Sequence, residues 1–122
     1  MLAPSTSAEF HRGFLVIDSE IVSDAPDGSY YLGRPWHPSS APDNGPRAVV
    51  RDTWLGTHLK ADPWTTMSGY DWVAGSNAEY DNRGPGAVVN EHRPQLTDTE
   101  AADHEIDDYL AGDDGWAPHA RR

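Results

Sequence analysis

The sequence predicts a mainly β chain that ends in one α-helix. Three observations carry this. Short apolar runs, Phe14-Leu15-Val16-Ile17 and residues 48–55, are bounded by stretches rich in Pro, Gly and Asp, as strands between turns are. The run Val16-Ile17-Asp18-Ser19-Glu20-Ile21 is matched, just over thirty residues on, by Val50-Arg51-Asp52-Thr53-Trp54-Leu55. Both copies read β-branched, any, Asp, hydroxyl, any, aliphatic; stacking of like residues in successive coils is what a parallel β-helix does. Near the end the period changes. Thr97-Asp98-Thr99-Glu100 is a capping-box pattern, and Ala102, Ile106, Tyr109 and Leu110 then share one helical face.

Taken in order, residues 1–12 read as an unstructured lead-in to a single unit spanning 13–122. Residues 14–22 form a first strand with one wetter end, and 24–29, holding Pro26 and Gly28, a turn. Residues 37–46 are rich in Pro, Ser, Asp and Asn and read as a surface loop. A second strand over 48–55 precedes a loop over 61–68. Residues 70–73 and 77–80 are short strands, 83–86 a turn, and 87–89 a last strand. A helix over 98–111 follows, within a helical tail of about 97–111, and Gly112 is placed to stop it.

Bulk properties exclude several classes. At 122 residues, 9 basic against 20 acidic side chains give a net charge of −11, a poor match for nucleic acid or an anionic membrane. The same charge disfavours a polyanionic ligand and tolerates a neutral one. There is no cysteine, hence no disulfide and no Cys-based zinc site. No apolar run reaches membrane-spanning length, and the start lacks the basic and apolar regions of a signal peptide. The histidines show no i, i+4 metal spacing, Asp113-Asp114-Gly115 is too short for a calcium loop, and no glycine loop suits a phosphate. Ser39 and Ser40 near His37 lack nucleophile-elbow glycines. Neither a metal nor a cofactor is expected.

The segment with chemistry is Tyr30-Tyr31-Leu32-Gly33-Arg34-Pro35-Trp36. Pro35 pushes Arg34 out of the helical region, and Gly33 permits close approach of another group. Arg34 and Trp36, two apart on an extended stretch, can serve one site: a guanidinium for a carboxylate, an indole for the flat face of a sugar.

Leu32-Gly33-Arg34-Pro35-Trp36 resembles the C-terminal signature of the pectin methylesterases (pectinesterases). The likeness continues, in that family's order, through Val49-Val50-Arg51-Asp52-Thr53, Pro63-Trp64-Thr65-Thr66-Met67, Glu79-Tyr80-Asp81-Asn82-Arg83-Gly84-Pro85-Gly86-Ala87 and Arg93-Pro94-Gln95-Leu96-Thr97. It covers residues 13–118. The resemblance implies the C-terminal coils of a right-handed parallel β-helix with a C-terminal α-helix. It also implies an extracellular enzyme that hydrolyses galacturonate methyl esters in the pectin of cell walls and releases methanol. In that family one Asp attacks the ester, a second is general acid and then base, and glutamines stabilise the oxyanion. By the match, Arg34 orients the nucleophilic carboxylate, Trp36 packs against the sugar, and Met67 borders the cleft.

The resemblance is partial. The family's catalytic Asp pair lies upstream of this signature, in a context that residues 1–29 do not contain, and the one Gln is Gln95, in the tail. Asp18 reads as a member of the coil ladder. The chain alone is therefore expected to be inactive, one wall of a cleft whose reactive groups belong to an N-terminal half. A stack of so few coils is expected to melt broadly. Two alternatives stand beside this: a non-catalytic carbohydrate-binding remnant that stacks sugars on Trp36, Trp64 and Trp72, or a truncated gene product.

Overall fold

A computed structural model of the chain describes residues 1–6, 12–34, 45, 47–66 and 76–111. The described residues form five strands: β1 (Phe14–Ile17), β2 (Glu20–Ile21), β3 (Arg47–Arg51), β4 (Trp54–Leu55) and β5 (Ser76–Tyr80). They form one three-stranded sheet, β1-β3-β5, and one two-stranded sheet, β2-β4, and every pairing is parallel. Parallel bridges Leu2↔Gly33, Gly33↔Trp64 and Tyr30↔Leu59 mark a third line of pairing, so each coil visits three lines before the next coil stacks on it. Among the described residues the core is Leu32, Ala48, Val50, Leu55, Leu59 and Trp64, with Leu2, Val16, Ile21 and Ala87 packed on it.

The internal repeat is the register. Val16 pairs with Val50, Ile17 with Arg51, Glu20 with Trp54 and Ile21 with Leu55. Between β1 and β2, and again between β3 and β4, the Asp is the bend: Asp18 has φ 50° and Asp52 φ 48°. A left-handed conformation suits Asp because its short polar side chain can hydrogen-bond locally, whereas most L-residues clash there. The hydroxyl residue closes each bend, Ser19 Oγ donating to the Ile17 carbonyl and Thr53 Oγ1 to that of Arg51, both at 2.7 Å. Asp18→Val is expected to cost about 1–2 kcal/mol through left-handed strain. Asp18→Asn is expected to be close to neutral; urea denaturation of the two variants checks the contrast.

A third copy exists that the sequence pattern did not disclose. Glu79 pairs with Val50 and Tyr80 with Arg51, which places Asp81, φ 50°, on the Asp ladder. Asn82 stands in the hydroxyl position and ties the coils together, its Nδ2 donating to the Val50 carbonyl and its Oδ1 accepting from the Thr53 N–H.

Several expectations need correction. The first strand, 14–22, is two strands separated by the Asp18 bend, and 48–55 divides in the same way at Asp52. Residues 1–6 are not a free lead-in: Leu2 exchanges backbone hydrogen bonds with Leu32 and Arg34, and Thr6 with Gly45. Residues 87–89 form no strand, and Val88 and Val89 are exposed, because the chain turns back where the Ala87 N–H donates to the Gly84 carbonyl. The expected strand over 70–73 lies outside the described residues, as does Gly112.

The predicted single helix is two short ones, α1 (Asp98–Ala102) and α2 (Ile106–Leu110). The capping box forms as expected, with Glu100 N–H on Thr97 Oγ1 and Thr97 N–H on Glu100 Oε1. Hydrogen bonds from the Thr97 backbone and hydroxyl hold the Glu100 carboxyl below its ordinary 4.5. The break comes from β3. Arg51 Nη1 donates to the carbonyls of Ala101 (2.6 Å) and His104 (3.2 Å), which a continuous helix would give to its own N–H groups. A cation at a helix C-terminus is favourable, so the guanidinium stops α1 and pins it to the sheet. Consequently Ala101 is buried, while Ala102 and Leu110 are exposed. Tyr80, beside Arg51 in the register, donates to Asp98 at 2.6 Å, and that bond lifts its phenol above 10.0.

Candidate functional site

Arg34 sits on the third line of pairing, and backbone bonds on both sides fix its segment. Leu32 and Gly33 N–H groups donate to the Pro63 carbonyl, and Thr65 N–H donates back to Gly33. On the other side Leu2 N–H donates to Leu32, and Arg34 N–H to Leu2. Leu32 is fully buried and anchors the strand in the core. Gly33 meets the indole of Trp64: a Cβ there would lie 2.6 Å from Cζ3. The close approach expected at this glycine is therefore to an aromatic ring of the next coil.

Trp64 is in turn held by a buried polar network. Its Nε1 donates to Glu79 Oε2 at 3.2 Å. Arg93 grips the same carboxylate with two bonds, Nε to Oε2 at 2.9 Å and Nη2 to Oε1 at 2.7 Å, and Nη1 donates to the Gly86 carbonyl. Asn82 Nδ2 adds a bond to Glu79 Oε1. Both charged groups are almost wholly buried. Such a pair holds its geometry because it is bidentate and its remaining valences are filled. The Glu-Tyr-x-Asn and Arg-Pro-Gln motifs are thus a brace. It runs from the last coil through Trp64 to Gly33, next to Arg34.

The end of this line is exposed. Arg34 carries no ion-pair partner among the described residues, although the chain is strongly acidic. Nearby, Tyr31 is 41% exposed and the Lys60 ammonium lies 5.0 Å from its ring centroid. His92 and Asp62 are paired at 3.1 Å further along, where Asn90 Nδ2 also holds the Ala61 carbonyl. Lys60 and the brace residues Glu79 and Arg93 were not singled out in the sequence. A buried carboxylate has no local signature, but Lys60 is the chain's single lysine, which was a readable signal.

Of the residues expected at the site, the structure describes Arg34 alone; Trp36 and Met67 lie outside the described residues. The stacking role for Trp64 is corrected: at 3% exposure, with its N–H on Glu79, it has no face for a sugar. Trp72 is outside the described residues. Asp18 is confirmed as a bend residue of the ladder. Among the described residues no cluster of His, Asp and Glu could hold a metal, and no helix is long and apolar enough to cross a membrane.

Comparison with known proteins returns one kind of relative. The chain is 33% identical over 136 aligned positions to pectinesterase A of Dickeya chrysanthemi, an alignment covering 97% of this chain and 36% of the relative. It is 29% identical to pectinesterase 3 of Phaseolus vulgaris, over 74% of this chain and 16% of that protein. Among solved structures, a pectin methylesterase in complex with a hexasaccharide superposes with a TM-score of 0.83 at 32% identity, covering 95% of this chain and 38% of that one. The Yersinia enterocolitica pectin methylesterase gives 0.82 at 26% identity, over 90% and 40%. No family profile matches the chain. The chain spans about a third of the length of the curated bacterial relatives it matches.

Proposed function

The chain belongs to the pectin methylesterase family, and from that premise we propose that it supplies one wall of a pectinesterase cleft. The reaction is hydrolysis of galacturonate methyl esters, with release of methanol. The polymer is pectin of the plant cell wall, and the setting is extracellular. The stacked parallel coils are those of a right-handed parallel β-helix; right-handed crossovers are the rule for parallel strands joined in one sheet.

Arg34 is the residue whose geometry carries this reading. It is an exposed cation, with no carboxylate partner among the described residues, on a segment clamped by backbone bonds from both neighbours. A guanidinium so placed can take a nucleophilic carboxylate in a fork of two charge-assisted hydrogen bonds and fix its line of attack on the ester carbon. The cation also favours the ionised form that must attack. Trp36 packs on the sugar ring and Met67 borders the cleft. The attacking carboxylate and its acid–base partner come from coils outside this chain, since Asp18, Asp52 and Asp81 are committed to bends. The stacking-remnant alternative loses Trp64, one of its three platforms, to the core.

Alone, the 122-residue chain is expected to release no methanol from esterified pectin above the buffer blank. In a chimera where it replaces the matching segment of Dickeya pectinesterase A, methanol release is restored. Arg34→Ala then lowers kcat by about 10²-fold, the scale of a misplaced reacting group. Arg34→Lys recovers part of it, because a point charge lacks the fork. An Arg34→Ala chimera as fast as its parent would end this reading.

A further inference from the structure

We propose that the cleft between the helical tail and the outer face of the β1-β3-β5 sheet binds a monocarboxylate with an apolar body, its carboxylate on Arg47 and its apolar part against Leu15 and Leu110. The site lies on a different line of strand pairing from Arg34, and it does not depend on the pectin reading.

Strand alternation sets the outer face. Ala48 and Val50 belong to the core, so Arg47, Val49 and Arg51 point the other way, towards the tail. Arg51 meets the tail directly, through the carbonyls of Ala101 and His104. At the other end of β3 the tail stands off the sheet. A cavity of about 300 Å³ remains there, with Arg47, Val49, Ala78, Glu100, His104 and Tyr109 among its walls. A second cavity of about 270 Å³ lies between β1 and α2, walled by Leu15, Ile17, Ile106 and Leu110 with Tyr109 again. Tyr109 thus stands where the two adjoin, its phenol facing the Gly13 backbone and the Arg47 guanidinium.

The two compartments differ in chemistry. Arg47 is half-buried and has no ion-pair partner among the described residues. Its charged neighbours are engaged elsewhere: Glu100 caps the Thr97 N–H, and Arg12 faces Asp103. His104 has Nδ1 on the Glu100 carbonyl. A guanidinium drawn partly out of water without a partner is costly, and a carboxylate restores the loss through a fork of charge-assisted bonds. Burial holds the Tyr109 phenol above its ordinary 10.0, so it keeps its proton and can donate to the same carboxylate. The second compartment has aliphatic walls. They suit an alkyl or aryl body and not a sugar, whose hydroxyls would go unpaired there. The occupant is therefore anionic at one end and apolar at the other. With a net charge of −11 on the chain, a single carboxylate is a better match than a polyanion.

Calorimetric titration of the full chain with octanoate, acetate and 1-octanol tests this, with thermal melts as a second readout. Octanoate should bind more than about 10-fold more tightly than acetate, which lacks the apolar body. It should also bind about 10-fold more tightly than octanol, the scale of a hydrogen bond to a charged group. Octanoate should raise the melting temperature, because it joins tail to sheet and binds only the folded chain. Arg47→Gln should make octanoate and octanol bind alike, while Arg47→Lys should keep part of the preference. Leu110→Asp, at an exposed position on the apolar wall, should weaken both. If Arg47→Gln keeps the parental preference for octanoate over octanol, the site is wrong. Equal affinity for acetate and octanoate, or no saturable binding of octanoate by the parental chain, would overturn it as well.

Discussion

Arg93→Ala is expected to destabilise the chain by about 3–5 kcal/mol, the cost of leaving a buried carboxylate without its partner. Glu79 occupies a buried position of the third coil, stacked in register on Val50, where the coil two below has Val16. The carboxylate is tolerated because Arg93, Trp64 and Asn82 together fill its lone pairs. Removing the guanidinium also frees the Gly86 carbonyl and opens a side-chain-sized void. Glu79→Ala should cost a similar amount for the mirror reason, a buried guanidinium left unpaired. The double variant Glu79→Leu with Arg93→Met should recover much of the loss, since apolar replacement of a buried pair is often neutral or better. Thermal melts followed by circular dichroism decide this: single variants no less stable than the double would refute the brace. A second readout concerns the site. Loss of Glu79 should raise the fluorescence yield change of Trp64 on denaturant addition at lower concentrations, because the indole loses its acceptor.

Gly84→Val should cost roughly 2–5 kcal/mol, from two sources that act together. At φ 93° a β-branched residue is strained, by about 1–2 kcal/mol on the scale for left-handed conformations. A Cβ would also lie 2.7 Å from the Leu55 carbonyl oxygen and 2.9 Å from the Trp54 ring, and overpacking adds about 1–3 kcal/mol. The Leu55 carbonyl accepts from Gly86 N–H, so moving it aside loosens the next contact as well. Gly28→Val is the control. It too has a positive φ, 63°, yet nothing lies within 4 Å of its Cβ, so only the strain should appear. Equal losses at the two positions would show that the contact at Gly84 is unimportant.

Glu79 and Gly84 explain why the third coil was not legible in the sequence. The repeat reads β-branched, any, Asp, hydroxyl, any, aliphatic, and the third copy is Glu79-Tyr80-Asp81-Asn82-Arg83-Gly84. Its first and last positions are the Glu of the brace and the glycine that lets the turn close on Leu55. Both substitutions serve contacts with residues far along the chain, so no local pattern reports them. The tail failed for a related reason. Its capping box and apolar spacing were sound local signals for one helix, and Arg51, some fifty residues earlier, broke it by taking two carbonyls.

The site was legible to a different degree. Gly33, Arg34 and the extended course of their segment followed from Pro and Gly chemistry, and the family resemblance followed from motif order. That Trp64 would face Glu79 rather than a sugar did not follow, because an indole reads the same in a core and on a surface.

By itself, then, the sequence determined the register of the first two coils, through the repeated Asp and hydroxyl residues Asp18-Ser19 and Asp52-Thr53, and the family, through the order of its motifs. Only the tertiary structure decided which motif residues brace and which remain free to act. A carboxylate or a guanidinium announces its charge in the sequence. Whether another charge neutralises it depends on which coil stacks on which, and that is settled in three dimensions.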